Sequence, residues 1–491
     1  MTDIGGLVRS VNPVVQGQSP LAADELDALL VLINEKNNET GIEGLTRRVE
    51  PTKPRLRGWQ VAAAAAVAVV LVLGPVLLFG GETEPNVRVT EPEVATTAPP
   101  TTALQATPLP DGEKSPRVPQ LETVLRRVEL TSVTAGGPGF VAVGTQSVLY
   151  DSAPDAAAVW TSTDGTTWSR VPDDDAVFGG SEVTSVIPGG PGLVAIGTET
   201  NVSRPDEPNA VVWTSIDGFT WSRVPHDETV FGGEGEQRMV SVTVGGPGLV
   251  AVGFDRPADD GEGGAAVWIS PDGFTWSRVP HDESVFGGAD FGGAGVSSVT
   301  EGGPGLVAVG NGNRGPVVWT SIDGTNWSRV AHDESVFGSG DLSMEDVTAG
   351  GPGLVAVGNG PGGAVVWTSI DGTNWSRVAH DESVFGGSVD LSMEDVTAGG
   401  PGLVAVGNGP GGAVIWTSID GTTWSRVRAD DTIYSGFVRA VAVGGPGLVA
   451  VGQALYPHTG GFAPVWTSTD GVTWARLPDD KGVFDHPDMS E

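Results

Sequence analysis

The sequence predicts an all-β fold: a seven-bladed β-propeller of four-stranded antiparallel blades, preceded by one transmembrane helix and a disordered stalk. Three observations predict it. A unit close to VTxGGPGLVAVG…AVVWTSxDGxxWSRV recurs seven times, its GGPG beginning at Gly136, Gly189, Gly245, Gly302, Gly350, Gly399 and Gly444. Each copy then carries a Trp pair around an Asp-Gly step, from Trp160/Trp168 to Trp466/Trp474, and these slots hold fourteen of the fifteen Trp. Short strands and tight turns repeating every 45 to 57 residues are the pattern of a propeller. The third observation is one uncharged run of nineteen residues, Val61 to Phe79.

The N-terminal segment, 1–58, contains one short helix at 19–33. Ser19 is its N-cap and Pro20 its first helical residue, with Leu21, Leu26, Leu29, Leu30 and Ile33 near one face. That face suits a cytoplasmic partner or the membrane surface. The helix expected over 59–80 is a membrane span, because nineteen residues rise about 28 Å, close to the hydrocarbon thickness of a bilayer. Arg47, Arg48, Lys53, Arg55 and Arg57 precede it, and Glu82, Glu84, Glu91 and Glu93 follow. Positive charge stays inside, so the N-terminus is expected in the cytoplasm and the rest outside, a single-pass type II topology in the cell membrane. Residues 81–128, rich in Pro, Thr and Glu, read as a disordered linker with a reach of about 35–40 Å. Arg outnumbers Lys 22 to 4, the usage of a GC-rich bacterium.

The propeller is expected over 129–491, where 46 acids against 14 bases leave a charge of −32. Such a surface repels phosphate backbones, so no nucleic acid is expected as a ligand. The chain has no Cys, which removes disulfides and thiolate metal sites. In the fifth copy, strands are expected at Met344 to Thr348, Leu354 to Val357, Ala364 to Thr368 and Trp375 to Val378, with Asp371-Gly372 as a two-residue hairpin turn. No blade buries both faces alone, so blades must lean on one another. Each indole buried between them contributes at most about 4–6 kcal/mol before entropy is subtracted.

The element Ser162-Thr163-Asp164-Gly165-Thr166-Thr167-Trp168 and its six successors resemble the Asp-box, or BNR, repeat of sialidase-like propellers. The resemblance covers roughly 130–480 and departs from the usual pattern by one residue fewer between Asp and Gly. It implies a propeller fold, and a structural role for Asp164, Asp217, Asp272, Asp323, Asp371, Asp420 and Asp470 at turns remote from any catalytic pocket.

Comparison of the copies separates scaffold from candidate site. GGPG and Asp-Gly turns hardly vary and fall on one face. The other face receives loops that are short in blades four to six (311–315, 359–363, 408–412) and long in the contiguous blades seven, one, two and three (453–462, 145–156, 198–209, 254–264). This crescent is the expected ligand face, with Tyr150, Asp151, Arg204, Asp206, Asp255, Arg256, Tyr456 and His458 as candidates. Residues 117–125 also match a blade tail, Arg223 to Phe231, either to brace the junction with blade seven or as a relic of duplication.

No catalytic residue is assigned. The Arg two positions after each second Trp is repeated too often to mark a single active site, and is expected on indoles or acids. His226, His281, His332 and His380 share one loop slot without metal-ligand spacing. Of what the resemblance to sialidases would require, only Tyr150, Tyr434 and Tyr456 and a few non-repeated Arg are available, no Arg-Ile-Pro or Arg-Leu-Pro element precedes the first box, and no metal or cofactor is expected. The sequence therefore reads as a membrane-tethered extracellular propeller, contacting the bilayer through 61–79, that binds or scaffolds an extracellular protein or glycan without catalysis. The alternatives are a glycan-directed hydrolase with a degenerate sialidase-like site, and a signalling protein that couples the propeller to the cytoplasmic helix.

Overall fold

The computed structural model describes residues 126–148, 155–201, 204–256, 263–287, 295–386, 391–427, 436–445, 447–454 and 463–484. The expected helix at 19–33, the span at 61–79, the linker up to 125 and the tail-like segment 117–125 lie outside the described residues. None of the described helices is long and apolar enough to cross a membrane.

The described fold is all-β, built from repeated four-stranded antiparallel sheets. The first set is β1 (Arg126–Gly136), β2 (Gly139–Val148), β3 (Ala156–Ser162) and β4 (Trp168–Arg170). The second is β5 (Ser181–Gly189), β6 (Gly192–Asn201), β7 (Arg204–Ser215) and β8 (Trp221–Arg223). The third is β9 (Glu236–Gly245), β10 (Gly248–Arg256), β11 (Gly264–Ser270) and β12 (Ser277–Arg278). Next come β13 (Gly295–Gly302), β14 (Gly305–Gly312), β15 (Gly315–Ser321) and β16 (Trp327–Arg329). The fifth set is β17 (Ser343–Gly350), β18 (Gly353–Gly360), β19 (Gly363–Ser369) and β20 (Trp375–Arg377). The sixth is β21 (Ser392–Gly399), β22 (Gly402–Gly409), β23 (Gly412–Ser418) and β24 (Trp424–Arg426). The last is β25 (Phe437–Gly444), β26 (Gly447–Gln453), β27 (Val465–Ser468) and β28 (Ala475–Arg476).

First strands of successive sets touch in order, β1 to β5, β5 to β9 and onward to β21 and β25, and β25 touches β1. The first and last sets also join as one sheet through a bridge between Glu129 and Gln453. Strand β1 begins at Arg126, so Val128, counted with the linker on sequence, is a buried strand residue.

The core lies between sheets. One cluster joins Val141, Val143 and Val159 of the first set to Val186, Leu193 and Trp213 of the second. The cluster that closes the succession joins Leu130, Phe140 and Trp160 to Val449, Val451 and Phe484. The third-strand indoles are wholly buried, Trp160 through Trp466 at 0–1% exposure, and from Trp160 to Trp416 a described tail caps each one. Trp213 Nε1 donates to the carbonyl of Val177 at 2.7 Å, and Trp268 to that of Val230 at 2.7 Å. Trp160 takes its partner from the far end of the chain, the carbonyl of Val483 at 2.9 Å.

The turn geometry corrects one expectation. The two-residue hairpin is Gly-Pro, the middle of GGPG, as between Gly350 and Gly353. Gly351 has φ 56°, and Pro then fixes a negative φ, which fits a type II′ turn and excludes type I′. Asp371-Gly372 sits instead inside a five-residue connection, 370–374, between β19 and β20. Its carboxylate spans that length by accepting the N–H groups of Thr373 (2.9 Å) and Asn374 (2.7 Å).

The two turns lock to each other across sheets. An added Cβ on Gly218 would lie 3.0 Å from Pro138, and one on Gly421 would lie 3.0 Å from Pro352. The GGPG turn of one set thus packs on the Asp-Gly turn of the next, which places both on one face, as the sequence predicts.

A second glycine is explained only by the structure. Every first strand carries a bulge, such as that between Leu130 and Ser132. Opposite it stands the Gly that ends LVAVG: a Cβ on Gly144 would run into the carbonyl of Glu129, and one on Gly407 into that of Ser392. Only a residue without a side chain lets the bulged backbone come so close.

Candidate functional site

The residue after each bulge helps to line a cavity of about 450 Å³ to which all of these first strands contribute. At the position just after the bulge stand Ser132, Ser185, Ser241 and Ser298, then Asp346 and Asp395, and finally Ala440. These side chains knit neighbouring strands together. Ser132 Oγ accepts the N–H of Val186 (3.3 Å) and Ser241 Oγ that of Val299 (3.3 Å). Asp346 accepts the hydroxyl of Ser298 (2.6 Å) on one oxygen and the N–H of Val396 (2.9 Å) on the other. Asp395 accepts the N–H of Val441 at 2.7 Å. Burial, and then the Asp346 carboxylate beside it, push the Asp395 carboxyl well above the usual range. The two acids share a hydrogen bond, which adds to the same upward shift.

Further towards the start of the same strands, Glu129, Glu182 and Arg238 occupy one equivalent position in three consecutive sets. Burial raises the Glu182 carboxyl; Asp155, hydrogen-bonded to it, and Glu129 push the same way, against Arg238. Glu129 is paired with Arg127 (2.7 Å) and Arg439 (3.1 Å), and Arg439 reaches Glu394 at 3.8 Å. Glu345 is likewise raised, chiefly by burial, while its hydrogen bond with Ser343 opposes the shift. A carboxyl with its pKa raised, set among carboxylates and guanidiniums, is suited to exchange protons with a bound ligand.

None of these acids was singled out from sequence. The signal was present in the register: aligning the copies on the bulge places Asp346 and Asp395 where other copies have Ser. Their shared context, Ser-Met-Glu-Asp-Val, looked like one more stretch of repeat.

The sequence-predicted crescent is only partly described. Tyr150, Asp151, Tyr456 and His458 lie outside the described residues, as does the side chain of Asp206. Arg204 is held by Glu207 (2.6 Å), Glu228 (3.4 Å) and the carbonyl of Gly233 (3.0 Å). Asp255 pairs with Arg278 and accepts from Gln237 Nε2 at 3.0 Å. Arg256 meets Glu236 at 3.1 Å and lies over the ring of Phe254. Asp255 and Arg256 are thus in one neighbourhood, whereas Arg204 belongs to a separate network. The stretch 198–209, expected as a loop, is mostly hairpin: Glu199 pairs with Asn209 and Asn201 with Arg204.

The seven turn Asp residues each gather backbone amides of their own connection. In each, backbone N–H groups two and three residues on hold the carboxyl below its usual range; for Asp420 the donors are Thr423 and Thr422, and the value is about 2. The repeated Arg residues take acids or indoles in several sets: Arg170 meets Asp173 at 2.6 Å and lies over Trp160, and Arg278 lies over Trp268. The repeated His rings pack on the Phe of their own tail, His332 on Phe337 and His380 on Phe385. Among the described residues no group of three or more His, Asp or Glu is placed to hold a metal ion.

No family model matches the chain, and no curated protein matches it. Solved structures of similar architecture include an ancestral GH74 enzyme, at 12% identity and TM-score 0.36, covering 71% of this chain. The chain spans 46% of that enzyme's length. Sqt1 of Chaetomium thermophilum is similar at 10% identity and TM-score 0.41, over 72% of this chain and 87% of that one. The Bombyx mori GH32 β-fructofuranosidase is similar at 11% identity and TM-score 0.31, over 74% of this chain and 89% of that one. Glycoside hydrolases recur among these structures.

Proposed function

We propose that the chain is a seven-bladed propeller, carried outside a bacterial cell on the span at 61–79, and directed at glycans through the region where its first strands begin. Glu182 carries this reading. It is a half-buried carboxyl, raised by burial and hydrogen-bonded to Asp155, with the ion-paired Glu129 and Arg238 close by. A protonated acid facing an ionised one is the pair that glycosidic cleavage needs, the acid delivering its proton to the leaving oxygen. Hydrolysis is the reading this favours, with Glu182 as acid and Glu129, whose charge helps raise it, as the second carboxylate. Asp346 and Asp395 are not that pair. Their carboxyls hydrogen-bond each other, inside the spacing of about 5 Å or more that a sugar ring requires.

A second reading, binding or scaffolding without turnover, is supported by the loop networks. Arg204, Arg256 and Asp255 are committed to partners within the protein and so form a fixed relief. Exposing the full chain to a glycan panel separates the two. Sugar release that disappears in Glu182→Gln, with binding retained, supports hydrolysis. Binding with no release from the unaltered chain supports the module, and neither binding nor release rejects the glycan reading. Coupling to the cytoplasmic side through the helix at 19–33 is tested by a pull-down with residues 1–58.

A further inference from the structure

The second set shows how this scaffold holds a carboxylate. Glu199, two residues past the bulge-facing Gly197, places its carboxylate between the guanidinium of Arg223 and Nδ1 of His226, the latter at 3.2 Å. Other sets fill the same seat from the same strand position. Gln146 accepts from Arg170 at 2.7 Å, and Asp255 pairs with Arg278.

In the fifth set the Arg and His recur as Arg377 and His380, at the same spacing as Arg223 and His226, with His380 Nε2 on the carbonyl of Gly386 at 2.8 Å. The acid does not recur: two residues past Gly358 stands Gly360. Among the described residues Arg377 makes no hydrogen bond or ion pair. Beside it opens a cavity of about 260 Å³, walled by Leu342, Val365, Val378 and Phe385, with Arg377 and His380 on its lining. Leu342 takes the space into which a side chain at 360 would project, so the acid is replaced by an apolar wall. The neighbouring sets differ. In the fourth, Arg329 is engaged by the carbonyls of Ser284 (3.0 Å) and Gly287 (3.4 Å). In the sixth, the position matching His380 is Ala429, which lies outside the described residues.

We propose that this cavity binds a small organic carboxylate with an apolar body, its carboxylate taking the place Glu199 holds in the second set. Arg377 supplies the charge-assisted fork, His380 flanks it, and Leu342, Val365 and Phe385 cover the apolar part. The cavity's size limits the ligand to a single ring or short chain. The site is independent of the Glu182 region, and its success or failure leaves the glycan reading untouched.

Calorimetric titration of the full chain with benzoate, butyrate and benzamide is the test. Saturable binding of benzoate or butyrate is expected, with benzamide at least about tenfold weaker, since it keeps the shape and loses the charge. Arg377→Gln should weaken carboxylate binding at least about tenfold with an unchanged near-ultraviolet dichroism spectrum, while Arg426→Gln binds as the unaltered chain does. No saturable carboxylate binding, equal affinity for benzamide, or an Arg377→Gln variant that binds normally would overturn the proposal.

Discussion

Trp160 and Val483, 323 positions apart, are joined by a 2.9 Å hydrogen bond from the indole to the backbone carbonyl. Phe484 stacks on the same indole with centroids 6.2 Å apart, as Phe178 lies against Trp213 at 6.4 Å. The junction of last set with first is therefore built like the internal ones. Phe484→Ala is expected to cost about 3 kcal/mol in urea unfolding, close to the cost of Phe178→Ala. A loss under 1 kcal/mol would mean that the C-terminal turn does not hold this junction.

The glycine opposite each bulge is a steric requirement. Gly358→Ala drives a methyl into the carbonyl of Ser343, and more than about 4 kcal/mol of destabilisation is expected. Gly411→Ala, whose Cβ would meet nothing within 4 Å, should stay within about 0.5 kcal/mol of the parent. Thermal melts of the two variants make the comparison directly.

Asp395 gives the stability a pH dependence opposite to that of most acids. Its folded pKa is raised, so the folded chain holds the proton more tightly than the unfolded one. That contribution is full below the ordinary Asp value of 3.8 and is lost as pH rises through the raised folded value. Asp395→Asn keeps a neutral group there, and its stability should lack this decline and equal or exceed the parent's at pH 8. Chemical denaturation at several pH values reads the slope.

The turn carboxylates act in the other direction. Asp420 titrates at about 2 when folded, so its contribution is present above 3.8 and disappears as pH falls towards 2. Asp420→Asn should be less stable than the parent at neutral pH and converge with it in strong acid.

If Glu182 is the acid of a hydrolase, sugar release should decline on the alkaline side as its raised carboxyl loses the proton. Glu182→Asp should retain a trace of that profile, whereas Glu182→Gln retains none. A rate independent of pH across that limb would remove Glu182 from the chemistry.

Strand order, inter-sheet indoles and the shared face of the two turns were legible because they depend on residues that recur. The twin alternation around Trp367 and Trp375 and the apolar run Leu354 to Val357 fix strands by themselves. What escaped was geometry that recurrence conceals. Gly358 is only one more recurring residue in the sequence, and the bulge at Met344/Asp346 opposite it gives the missing Cβ a reason. Asp371-Gly372 looked like a hairpin turn, because the two amides that its carboxylate gathers across a longer connection leave no trace in spacing. Glu199 and Arg204 looked like loop, since a polar hairpin extending beyond the core has no apolar pattern to announce it. The acids at Asp346, Asp395 and Glu182 became visible once neighbouring strands brought them together.

The seat on Trp160 is filled by residues translated 323 positions after it. Until Val483 and Phe484 emerge, the nascent chain presents an uncovered indole at one end and an unmatched sheet surface at the other. Both are sticky to chaperones and to sister chains on a polysome. A chain that lacks this turn keeps that exposure permanently, so the turn ties the burial of the first sheet to synthesis of the last.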